Sequence, residues 1–191
     1  MVRNREDFAK KILEIDNEKI VDIIYENSNN LVNIELERHR RIVDKGRDYL
    51  GMTLIILGII VGIGNIVFSK YSIGSLSNLS LIPILVFLFY IASITLFVVS
   101  LFAYYKISFI HEYLWTDFED TVFIPDVEEN VTYYYKCSQL VNTWYRIELF
   151  RQLNEKLVFR LNKASLLSLG GIVSIIISLI LVLCGLIFSG V

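Results

Sequence analysis

Residues 31–68 read LVNIELERHRRIVDKGRDYLGMTLIILGIIVGIGNIVF, and this stretch decides the fold. Its first half is densely charged. Its second half, Tyr49–Phe68, holds no Asp, Glu, Lys, Arg or His. No Pro and no turn cluster separates the halves, so the pattern predicts one continuous helix of roughly 55 Å at ~1.5 Å per residue. The apolar half is long enough to cross a hydrocarbon core of ~30 Å, which takes about 20 helical residues. The charged half would stand in water.

Two further runs have the same character, 81–105 and 165–188, and neither contains an ionisable residue. An apolar helix can instead be buried in a large soluble core, but a chain of 191 residues lacks the mass to bury three. The hydrophobic share is 54% and the mean hydropathy +0.55, above the roughly 45–50% apolar share of soluble domains. The expected fold is an all-α membrane protein with three transmembrane helices, two of them extending into a cytoplasmic helical bundle.

Orientation follows from Lys and Arg. Residues 1–48 hold ten, the 69–80 loop one (Lys70), the 106–164 segment seven, and nothing basic follows the third span. The positive-inside rule then places 1–48 and 106–164 in the cytoplasm, the 69–80 loop and the C-terminus outside, and the protein in the cell membrane as a multi-pass chain. The first 48 residues lack the short apolar stretch of a cleavable signal peptide.

Outside the spans the reading is helical. Residues 5–26 suggest one or two short amphipathic helices, with Phe8, Ile12 and Ile15 on one face and Ile20, Ile23 and Ile24 on another. Asn27–Asn30 reads as a turn, with Asn30 as an N-cap. Pro83 suits the first turn of the second span. Ile124-Pro125-Asp126 is a break, with Asp126 an N-cap and Glu128 and Glu129 in the turn after it. From about 128 a second long helix is predicted to run through the third span, because Leu140, Trp144, Ile147, Phe150, Leu157 and Leu161 recur at spacings of three and four. Tyr133-Tyr134-Tyr135 is ambiguous between helix and strand.

Chemistry is sparse. No phosphate-binding loop, dinucleotide turn, nucleophile elbow or metal-ligand spacing is present, so neither catalysis nor a cofactor or metal is expected. His39 and His111 lack spaced partners and read as solvated or interfacial. Cys137 reads as a cytosolic thiol and Cys184 as a small apolar residue in lipid. Net charge is −2, which argues against a nucleic-acid duplex as partner. Spans without ionisable groups argue against a pump, an antiporter or a voltage sensor.

Three sets of residues carry the remaining possibilities. Gly58 and Gly62 have helix-packing spacing in the first span, with Gly51, Gly64 and Asn65 nearby. Ser168, Gly171, Ser174 and Ser178 share roughly one face of the third span, with Gly185 beyond. That face either packs on another helix or lines the pore of an oligomer. Arg38, Arg41 and Lys45 share a helical face that Arg146 and Arg151 could meet, with Arg160 beyond. This cluster either contacts anionic lipid or holds a nucleotide or phosphate, although Glu35, Glu37, Asp44 and Asp48 are interleaved with it.

Arg41-Ile42-Val43-Asp44-Lys45-Gly46 running into Leu50-Gly51 resembles the R-x-x-D-x-K-[AG] lead into the first span of small prokaryotic membrane effectors. Asn154-Glu155-Lys156, followed by Asn162-Lys163-Ala164-Ser165-Leu166, resembles the N-x-x-N-x-K-A lead into their last span. These are the Pycsar-type transmembrane effectors and the related SLATT-type proteins; the resemblance covers about 40–70 and 140–190. It implies antiviral defence, in which a nucleotide signal from a nucleotide-synthesising partner controls an effector that disrupts membrane integrity. Two function classes follow. One is a homo-oligomeric effector in the lipid bilayer that forms or gates a pore. The other is a non-conducting membrane scaffold whose cytoplasmic bundle docks a partner protein. A membrane-bound enzyme ranks below both because no site is visible.

Overall fold

The computed structural model describes residues 11–12, 14–15, 17–70, 81–109 and 131–188. The helices are α1 (Glu18–Lys70), α2 (Leu81–Phe109) and α3 (Val131–Phe188), and no strand occurs among the described residues. All three are long and apolar enough to cross a membrane, which makes this a multi-pass membrane protein. The Tyr133–Tyr135 stretch is helical. The 71–80 part of the loop, the Ile124-Pro125-Asp126 break, Glu128, Glu129 and His111 lie outside the described residues.

The expected turn at Asn27–Asn30 is helix instead, and α1 begins thirteen residues before Leu31. Its cap is Asn17, whose Oδ1 accepts the Lys19 backbone N–H at 3.1 Å and whose carbonyl accepts the N–H groups of Ile20 and Val21. Ser28, in the middle of the Asn-Ser-Asn-Asn run, is buried on the packed face of α1. Burial of that face overrides the turn preference of asparagine, which is a weak local bias. Pro83 falls in the first turn of α2 as expected, where no backbone N–H is needed.

The chain divides into two compact units, Met1–Ile42 with His111–Val158, and Val43–Ile110 with Phe159–Val191. In the first, charged unit, α1 and α3 run parallel, because Glu18 and Asp22 meet Lys136 while Glu35 and His39 meet Asn154. Buried positions recur every seven residues: Val21, Ser28, Glu35 and Ile42 on α1, and Leu140, Ile147 and Asn154 on α3. A repeat of seven is the signature of helices that coil gently to keep one face on a partner. Ile12, Val21, Cys137, Leu140 and Val141 form the apolar core at one end. Cys137 is therefore no open thiol; burial raises its pKa, with a bond to Tyr133 acting the other way.

In the second, apolar unit, α2 runs antiparallel to both its neighbours. Val86, Ser93, Ser100 and Ile107 are buried at sevens on α2, and Ala164, Gly171 and Ser178 on α3. On α1 the sevenfold set is Gly46, Thr53 and Ile60. A Cβ on Gly46 would lie 3.0 Å from Ile107, the Tyr49 and Tyr104 rings meet at a tilt of 56° with centroids 5.7 Å apart, and the Tyr90 hydroxyl donates to the Ile60 carbonyl at 3.1 Å.

Candidate functional site

The most chemically distinct feature of the charged unit is a polar node on its packed face. Asn154 is fully buried, and its amide nitrogen donates twice, to the Glu35 carbonyl at 3.0 Å and to Glu35 Oε2 at 2.9 Å. Those two acceptors fix which end of the amide is nitrogen. Asn154 Oδ1 is then left facing His39 Nδ1 at 3.0 Å, so the Nδ1 of His39 must carry a proton and donate. The Glu35 carboxylate also meets Arg38 Nη1 at 3.5 Å from its own helix and Arg151 Nε at 3.8 Å from α3. Phe150 closes the node edge-on against the His39 ring.

Two helices position these groups. Glu35 and His39 are one helical turn apart on the buried face of α1, and Asn154 occupies a sevenfold position of α3. Each is a place where the pattern calls for Leu or Ile. A polar network in such a seam is stable only when every member is satisfied, and it then fixes which residues face each other. The arrangement can lock register between α1 and α3. Among the described residues, no group of three His, Cys, Asp or Glu side chains is placed to hold a metal ion.

The basic residues sort differently from the expected common face. Arg38 and Arg151 converge on Glu35, and Arg41 pairs with Glu37 at 3.0 Å. Lys45 is exposed and Arg146 half-buried. Two guanidinium groups against one carboxylate make a counter-ion cluster, and both are about half exposed. At the far end, Lys136 bridges Glu18 at 3.4 Å and Asp22 at 2.8 Å; the bond to Asp22 is the main cause of its raised pKa.

In the apolar unit the serine face of α3 meets α2. Ser178 Oγ donates to the Val86 carbonyl at 3.2 Å, Ser93 Oγ to the Gly171 carbonyl at 2.8 Å, and Ser168 Oγ to Ser100 Oγ at 3.0 Å. A Cβ on Gly171 would come within 2.7 Å of the Phe97 ring. Three of the four residues on the expected pore stripe are thus engaged within one chain, with Ser174 half-buried beside them. Gly58 and Gly62 are exposed, and a Cβ at either would meet nothing within 4 Å. Among the described glycines, Gly46, Gly64 and Gly171 pack most closely within the chain, and a Cβ on Gly170 would touch Leu96 at 3.4 Å.

The node residues Glu35, His39 and Asn154 are not among the functional residues expected from sequence. A signal existed: Glu35 and His39 are four apart, and Glu35 stands in the same sevenfold count as Val21, Ser28 and Ile42. Comparison with protein-family models, with curated proteins and with solved structures finds no match.

Proposed function

We propose that the protein is an oligomeric effector of the cell membrane that forms or gates a pore under cytosolic control, with 1–48 and 106–164 inside and the C-terminus outside. One observation carries this reading. α1 and α3 each continue unbroken from the charged unit into an apolar span, and the Glu35–His39–Asn154 node pairs these same two helices. A signal that binds two arrangements of the charged pair unequally would therefore act on helices that cross the lipid. The role in antiviral defence and the nucleotide as signal rest on the resemblance at Arg41–Gly46 and Asn154–Leu166.

The scaffold reading has one observation in its favour. Ser168, Gly171 and Ser178 face α2, so a conducting path would have to form between copies rather than along a ready polar stripe. Ion flux separates the two. Proteoliposomes are expected to release ions faster than protein-free vesicles when nucleotides are supplied, and Asn154→Leu to change the rate. No flux above the lipid blank under any nucleotide would overturn the pore and favour the scaffold. In intact cells, a cysteine at Ser75 should react with an impermeant reagent and a cysteine at the exposed Glu155 should not. The opposite labelling would invert the topology.

A further inference from the structure

One end of the apolar unit carries charge that the chain itself leaves unanswered. α2 holds no acid, and α3 holds none from 156 to 188. Lys106 nevertheless follows directly on the charge-free run 81–105, and Arg160 and Lys163 stand just before the run 165–188. Among the described residues, none of these three cations is in an ion pair. α1 differs at this end of the same unit. There Lys45 and Arg47 alternate with Asp44 and Asp48, and Arg47 meets Asp44 at 3.7 Å.

Packing brings the three cations to one groove. α2 and α3 are antiparallel with Ser100 against Ser168, so Lys106, six residues on, stands level with residue 162, six residues back. Gly170 and Leu96 each come just before a buried residue, Gly171 and Phe97, and a Cβ on Gly170 would touch Leu96 at 3.4 Å. Residues one before the buried positions of these two helices therefore look into the same groove. Lys106 precedes buried Ile107, Arg160 precedes Leu161, and Lys163 precedes Ala164. Lys163 also lies seven residues before Gly170, two turns away on the same face.

Away from the cations the groove is apolar. Val99, seven residues before Lys106, is exposed, and Gly170 and Leu96 continue the groove between the charge-free runs. Exposed rings stand at its charged end. Lys163 Nζ lies 4.5 Å over the Phe159 ring, and the Tyr105 and Phe109 rings are 4.2 Å apart. A ring holds an ammonium in place without cancelling its charge, and aromatic side chains gather at the boundary of water and hydrocarbon.

We propose that this groove binds an anionic phospholipid, with the phosphate among Lys106, Arg160 and Lys163 and an acyl chain along Val99 and Gly170. Three cations without an acid select an anion. Their place at the ends of the charge-free runs selects one held at the membrane surface. The apolar continuation matches a chain that a free phosphate or a nucleotide lacks. The inference needs only the membrane spans and goes beyond the pore reading, since it holds whether or not the protein conducts.

Lipid preference beside the groove tests it. The full chain carries Trp115→Phe and Trp144→Phe, with Val99→Trp as reporter. It is reconstituted in phosphatidylcholine vesicles with rising fractions of phosphatidylglycerol brominated on its acyl chains, which quenches only neighbouring tryptophan. Against brominated phosphatidylcholine, the preference for phosphatidylglycerol should be about fivefold or more. Lys106→Gln, Arg160→Gln and Lys163→Gln together should bring it to about one, since they remove the local charge. Helix content and melting should stay those of the parent, because all three residues are exposed. A second reporter, Ile55→Trp on the exposed face of α1, should show little preference. A preference that survives in the triple variant, or that Ile55→Trp shares in full, would overturn the groove. Inorganic phosphate and ATP should leave the quenching as chloride does at equal ionic strength. Relief of quenching by either would assign the cations to a soluble anion and overturn the lipid site.

Discussion

The two units hold α3 by different means. In the charged unit, α3 meets α1 through side chains that bond to side chains, with Asn154 between Glu35 and His39. In the apolar unit, α3 meets α2 mainly through small residues and serine hydroxyls that reach the carbonyls of the facing helix. The difference follows from the solvent each sequence implies. Water competes for every polar group along the charged pair, so specificity comes from a node shielded from it. In lipid no water competes and apolar surface gives little drive, so close backbone approach sets the fit. Register in the first case depends on three polar residues, and in the second on the absence of side-chain bulk.

Substitutions can break this contrast. The largest effect is expected at Asn154. Asn154→Leu removes a buried partner from the Glu35 carboxylate, which keeps Arg38 and Arg151, and the acceptor facing His39 Nδ1, and should cost roughly 3 kcal/mol of unfolding free energy in detergent, followed by circular dichroism. Combining it with Glu35→Leu and His39→Leu should recover a good part of the loss, because no orphaned group is left. A triple variant no better than the single one would mean that shape, not polar satisfaction, holds the pair.

Next comes Gly171. Gly171→Leu drives a side chain into the Phe97 ring and should cost roughly 1–3 kcal/mol in the same assay. Gly62→Leu enters open space and should leave the melting of the single chain near the parent. Equal losses at the two glycines would remove the distinction between the packed and exposed faces. The smallest effect is expected at Ser178. Ser178→Ala deletes one hydrogen bond to the Val86 carbonyl and should cost about 0.6 kcal/mol, since a helix unpaired in lipid also finds partners for its hydroxyls. A loss as large as that of Asn154→Leu would show that the apolar unit too relies on directed bonds.

Much of the fold was legible before the structure. The charge-free runs at 49–68, 81–105 and 165–188 announce membrane helices because lipid tolerates little else. The helix ends were less legible. Asn27–Asn30 has turn chemistry, yet it is helical because Ser28 sits on a face that packs, and local preference is weaker than burial. The candidate site was mostly hidden. His39 looked solvated because no partner lies near it in sequence; Asn154 is 115 residues away. The serine stripe was visible as a stripe, but the chain alone left open what it faces.

By itself, then, the sequence determined the helical class, the three lipid-length runs, the continuity of the first charged and apolar halves and the basic asymmetry, since each depends on local composition and on the solvent that composition demands. Tertiary structure alone decided that α1 and α3 lie parallel in the charged unit, that Glu35, His39 and Asn154 share one buried node, and that Ser168, Gly171 and Ser178 meet α2 rather than an open face. Those facts are pairings between residues far apart along the chain. A sevenfold pattern tells each helix which face to bury, and only the assembled helices settle which face it is buried against.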